Sequence, residues 1–273
     1  MADWLEHTVL PSAIAVAVVL LVLWPTESSG RRVLRTWGIP EPAQDQIAEA
    51  VRYLRRRRIF FTALFVFGSP LIGLVVRPDA PGVGIFVPLL GAMLIAELIA
   101  TLRPVRGFRV ASLDRRGWRD LVPRWAVWVM AVLVVLAVGL AVAGLTVEPP
   151  AGRYVNVDLT SRLALGYVVA CLLLVVTLIH LAVRRPSVAD EEVDAALRTR
   201  TARVATGIGF GWLGTAVLIA SERHQEINIS EPTRVEPDWF GDAMQITGPV
   251  VLAISIVCWF CVATPSRRSL ARR

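Results

Sequence analysis

The chain has 273 residues, 55% of them hydrophobic and 19% charged, with a mean hydropathy of +0.58. A soluble domain carries roughly a quarter charged residues, so this balance argues against a chain folded wholly in water. The formal net charge is +7, and all 29 basic residues are Arg.

The apolar residues are gathered in blocks. Stretches almost free of charge occupy 8–24, 59–76, 83–102, 125–146, 163–183, 205–221 and 244–264, each 17 to 22 residues long. At about 1.5 Å of rise per residue, helices of this length cross a hydrocarbon core about 30 Å thick. Lipid offers the backbone no hydrogen-bond partners, so the segments must be helical. The competing reading, buried helices of a large soluble protein, fails because the connections are too short to wrap seven of them. The sequence therefore predicts an all-α polytopic membrane helical bundle, one domain over 1–273 with seven transmembrane helices.

Positive charge resists translocation, and its distribution sets the orientation. The connections alternate between Arg-rich and Arg-poor, 24 Arg on one side against 5 on the other. The expected topology has the N-terminus outside and the C-terminus cytoplasmic, in a bacterial plasma membrane. Asp3 and Glu6 precede the first block and Arg31, Arg32 and Arg35 follow it. That order is the reverse of a signal peptide and describes an uncleaved anchor. Trp4 and Trp239 fall near the outer interface, and Trp24, Trp125 and Trp128 near the inner one. The cytoplasmic excess of Arg needs only anionic lipid headgroups as partner, and no nucleic acid.

The first cytoplasmic connection, 25–58, has a front punctuated by Gly30, Gly38, Pro40 and Pro42. Ile47, Val51 and Leu54 then recur at helical spacing between charged residues, an amphipathic stripe that runs without a breaker into the second span. It ends in Arg55, Arg56, Arg57 and Arg58, which read as the stop signal that fixes topology and as the candidate contact for acidic lipid or a cytoplasmic partner. Ser69-Pro70, Pro88 and Gly248-Pro249 predict kinks in spans two, three and seven.

Glu97, in span three, is the sole carboxylate within a block. Inserting an acid near a helix centre costs about 2.5–3.5 kcal/mol, so it must face the bundle, a wet cavity, or a partner. His180 lies at a similar depth in span five, with Thr177 on the same face. A Glu97–His180 pair would offset the cost of both and could relay a proton; the alternative is an interfacial histidine and a structural hydrogen bond from the acid. The connection 103–124 mixes Arg with Val110, Leu113, Trp118 and Leu121, suited to a short helix in the headgroup plane. In 184–204, Asp190, Glu191 and Glu192 precede Arg198, Arg200 and Arg203, predicting a helix that feeds directly into span six.

Gly207 and Gly211 in span six are spaced for close helix approach. The connection 222–243 reads as a solvated acidic exterior loop. Cys258 and Cys261 share a face of span seven, but without a second ligand pair they read as small thiols and not as a metal site. Ile47 to Arg52 is similar to Val193 to Arg198, a weak hint of parallel repeats around span four.

The Arg-Arg-Arg-Arg entry to span two, Ala96-Glu97-Leu98, Asp120-Leu121-Val122-Pro123-Arg124-Trp125 and Glu191 to Arg198 together resemble uncharacterised multi-spanning membrane proteins of high-GC actinobacteria. The resemblance attaches no activity. An enzyme is not expected: paired acids, a Ser/His set and a metal cluster are all missing from the spans, and no cofactor is implied. Two readings stand. One is a permease-like protein or the membrane subunit of a transport system, which predicts a polar cavity reaching Glu97. The other is a non-catalytic membrane scaffold or regulator that binds a cytoplasmic partner through Arg-rich loops, which predicts a closed bundle.

Overall fold

The computed structural model describes residues 24–75, 83–102, 117–146, 157–184, 191–230 and 238–264. The first apolar block up to residue 23, Trp4, Val110, Leu113 and the basic tail lie outside them. Every regular element among the described residues is a helix. In chain order they are α1 (Glu27–Thr36), α2 (Gln44–Val75), α3 (Val83–Thr101), α4 (Trp118–Leu121), α5 (Arg124–Thr146), α6 (Val157–Arg184), α7 (Glu191–Ser230) and α8 (Asp238–Ala263). The chain divides into two compact units. One takes α1 to α4 with 177–184 and 191–205; the other takes 122–176 and 206–264.

In the first unit, the front of the 25–58 connection, punctuated by Gly and Pro, contains the helix α1. It stops at a sequence-encoded cap. Gly38 adopts a φ of 107°, and its N–H reaches the Arg35 carbonyl while the Ile39 N–H reaches that of Leu34. This is the Schellman arrangement, with glycine where a side chain would be strained and a contact between residues of the Ile39 and Leu34 kind beneath it. Pro40 and Pro42 then prevent continuation. Gly30 brings α1 onto α2: a Cβ there would sit 2.7 Å from Val51 Cγ2 and 3.1 Å from the Ile47 carbonyl oxygen.

The α2 helix begins where Gln46 turns back to accept the Ala43 N–H at 3.0 Å. It then continues unbroken from the amphipathic stripe into the apolar block, through Pro70. Ile47, Ala50, Val51 and Tyr53 are buried with Leu34, Trp37 and Ile39, and the same cluster takes in Ala100 of α3 and Val193, Ala196 and Leu197 of α7. The two look-alike segments, 47–52 and 193–198, thus line one core. Both segments present an apolar helical face to the same neighbours.

Among the described residues, four helices are long and apolar enough to cross a membrane, over Arg124–Thr146, Ser161–Arg184, Glu192–Glu222 and Asp242–Ala263; the second ends in the first unit and the third starts there, and the rest belongs to the second unit. Three of them bury one narrow stripe. On α5 it is Ala126, Leu133, Ala137, Ala141 and Gly144; on α6 it is Ala164, Val168, Cys171 and Val175. Their other faces expose large apolar groups, including Val135 at 70%, Leu173 at 64% and Phe260 at 66%. So much exposed hydrocarbon is stable against lipid and not against water. α7 differs: 89% of its most apolar window is buried. Its glycines admit neighbours closely, with Trp259 against Gly207, Met130 and Val175 against Gly209, and Ser255 against Gly214. The described residues are all-helical in their regular structure, and the four long apolar helices give the chain the character of an integral membrane protein.

α7 also corrects one expectation. The segment after residue 221 is not loop from its start; α7 continues to Ser230, and His224 is buried, its Nε2 3.1 Å from the Leu140 carbonyl oxygen. Pro88 and Pro249, the positions where kinks are expected, lie within α3 and α8, each helix being assigned on both sides of its proline.

Candidate functional site: a buried carboxylate between two arginines

Glu97 has no exposed surface. It lies one turn before the end of α3, where the Thr101 hydroxyl donates back to its main-chain carbonyl at 2.7 Å. Burying an ionised carboxylate alone is prohibitive, so the surroundings must supply charge and donors. They do so from two other helices of the same unit. Tyr53 and Arg57 are four residues apart on α2 and therefore share a face. The Arg57 Nε pairs with Glu97 Oε2, and the Tyr53 hydroxyl donates to Oε1. From α7, Thr201 donates to Oε1 at 3.0 Å, and Arg200 Nη1 stands 3.8 Å from the same oxygen.

The partners also hold one another. Arg200 Nη1 donates to the Tyr53 hydroxyl at 3.1 Å while its guanidinium lies 5.4 Å from the centre of the Tyr53 ring. Burial and then the negative charge of Glu97 push the Tyr53 hydroxyl up to about 12. The phenol therefore stays protonated and serves as donor to the acid and acceptor from Arg200. Both carboxylate oxygens are engaged, so neither is free to act as a general base. What this arrangement does chemically is clasp three helices around one fixed charge.

The remaining candidates fall elsewhere. Thr177 and His180 are exposed on α6, and His180 is not among the groups acting on Glu97. Four consecutive residues on a helix point all round it, and the arginine run obeys. Arg55 lies 5.8 Å over the Trp24 ring and donates to the Pro25 carbonyl at 3.4 Å, Arg56 lies over Phe60, and Arg57 turns inward to Glu97. Arg58 has no acidic partner among the described residues. Cys258 and Cys261 are free thiols, Cys261 exposed; among the described residues no three His, Cys, Asp or Glu converge on a metal-sized point.

Sequence reasoning singles out Glu97 but sets His180 beside it and misses all four of its partners: Tyr53, Arg200 and Thr201 are not among its candidates, and Arg57 reads there as part of a stop signal and a lipid or partner contact. One signal was available: an acid inside a span demands a counter-charge at its own depth, and Arg57 follows the α2 stripe by one turn from Tyr53.

Beside the clasp, and separate from Glu97, is a cleft of about 540 Å³ at the junction of α1, α2 and α3. Arg57, Arg58 and Ser29 are on its wall together with Trp24, Phe61 and Met93. Comparison of the chain with protein-family models, with curated proteins and with solved structures finds no match.

Proposed function

We propose that the chain is a seven-span protein of the bacterial plasma membrane, N-terminus outside and C-terminus cytoplasmic, that acts as a non-catalytic scaffold or regulator. The observation that carries this reading is the state of Glu97: wholly buried and engaged at both oxygens by two arginines, a tyrosine and a threonine. A carboxylate that couples transport must gain and lose a proton or cation within a wet path. One held this way is a structural anchor. It fixes α2, α3 and the start of α7 into a rigid platform, whose outer side carries exposed Arg31, Arg32, Arg35 and Arg52. In the proposed topology this platform faces the cytoplasm, where a soluble acidic partner can reach it.

Transport remains the second reading, favoured by the cleft whose wall includes Arg57. Reconstitution in liposomes separates the two. The scaffold reading expects no proton-gradient-driven flux from the wild type; flux that disappears in Glu97→Gln, with the variant still folded, establishes transport instead. Cysteine labelling at residues 3 and 270 from either side of intact cells tests the topology.

A further inference from the structure

We propose that the cleft between α1, α2 and α3 is a binding site for one anionic phospholipid, whose phosphate is held by Arg58 and whose chain lies along Trp24, Phe61 and Met93. The site is distinct from the scaffold role and its chemistry does not depend on it; only the leaflet it faces follows from the proposed topology.

The argument begins with charge. Around the clasp stand three guanidiniums, Arg57, Arg58 and Arg200, against one carboxylate. Glu97 takes up Arg57 and Arg200, and Arg58 is left over. Partial burial and the adjacent Arg57 charge both disfavour its charged form, a strain that an incoming anion relieves. Arg57, 22% exposed, presents its outer side to the same cleft. The first turn of α1 also opens here through Thr26 and Ser29, and its N-terminal dipole favours negative charge.

The second part is shape. A site for free phosphate would be small and polar throughout. This one is about 540 Å³, and beyond the arginines its wall is Trp24, Val33, Leu54, Phe61 and Met93. A charged end joined to an apolar remainder is the description of an amphiphile. Trp24 is 41% exposed at the rim, where an interfacial tryptophan meets headgroups. Two neighbouring arginines recognise a phosphate diester; a zwitterionic lipid offers the same diester, but its choline cation meets the arginines unfavourably and leaves no net charge to attract them.

The test uses the full chain in a mild detergent, with native mass spectrometry counting retained lipid. Phosphatidylglycerol, phosphatidylcholine and inorganic phosphate are the three probes. The expected result is one retained phosphatidylglycerol, with about tenfold weaker retention in Arg58→Gln and no change in Arg52→Gln, an exposed arginine of the same helix away from the cleft. Brominated phosphatidylglycerol should quench wild-type fluorescence more than that of Trp24→Phe. Equal retention of the two lipids, equal loss in both arginine variants, or no difference in quenching overturns the site. Inorganic phosphate binding as tightly as the lipid overturns the amphiphile assignment.

Discussion

Replacing Glu97 by Gln keeps the shape of the side chain and removes its charge. The amide oxygen can still accept from Tyr53 and Thr201, the two neutral donors to Oε1. What is lost is the charge opposite Arg57, and the weaker attraction of Arg200 at 3.8 Å. Removing one member of a buried ion pair costs about 3–5 kcal/mol, because the survivor is left charged and unpaired. Here the survivor is 22% exposed and water can reach part of it, so the expected loss is smaller, about 2–4 kcal/mol. Reversible unfolding in mixed detergent micelles, followed by helical circular dichroism, measures this difference. Adding Arg57→Gln to Glu97→Gln should recover part of the loss, with a coupling energy of about 1–3 kcal/mol in the double-mutant cycle. A Glu97→Gln protein as stable as the wild type would refute the reasoning: the acid would then be neutral in the fold, and the arginines would need no counter-ion.

Four further outcomes rest on named contacts. Tyr53→Phe removes one hydrogen bond to a buried charge and should cost about 1–3 kcal/mol in the same assay, with helix content unchanged. The Tyr53 hydroxyl is raised from 10.0 to about 12 in the fold, so its contribution is complete below pH 10 and lost as pH rises towards 12; the thermal midpoint should fall across that window in the wild type and less steeply in Tyr53→Phe. At Gly214 a Cβ would stand 2.7 Å from Ser255 Oγ and 3.3 Å from the Leu252 backbone, so Gly214→Ala should destabilise by about 1–3 kcal/mol, whereas Gly139, with nothing within 4 Å, should accept Ala without loss. Gly30→Val should loosen α1 from α2, read as faster proteolysis within 27–39, because the new side chain meets Val51 and the Ile47 carbonyl.

The helices were legible because hydrocarbon imposes a length and a composition that a single sequence displays. The four long apolar helices stand where the last four blocks are, and α7 continues from the acidic start at Glu191 into its apolar part as its charge order implied. The blocks say little about which side chains meet. Arg55 to Arg58 are identical in sequence and different in space, because successive residues turn about 100° and one of them faces α3. Glu97 was recognisable as an anomaly, yet its partners lie 44 and 104 residues away, and nothing local announces them. His180 shared its depth but sits exposed on α6. α1 was hidden for a different reason: Gly30 weakens the local helical signal, and only the packing against Val51 explains why glycine stands there.

The separation of these partners also orders events at the ribosome. Arg57 and Glu97 leave the tunnel early, while Thr201 follows 104 residues after Glu97. At about 5–20 residues per second, the nascent acid waits roughly 5–20 s for its last two companions. During that interval α2 and α3 form a hairpin neutralised from one side only. A chain arrested before α7 would stay in that half-closed form, with Arg57 and Tyr53 as the companions of Glu97 and the α7 side of the clasp unfilled.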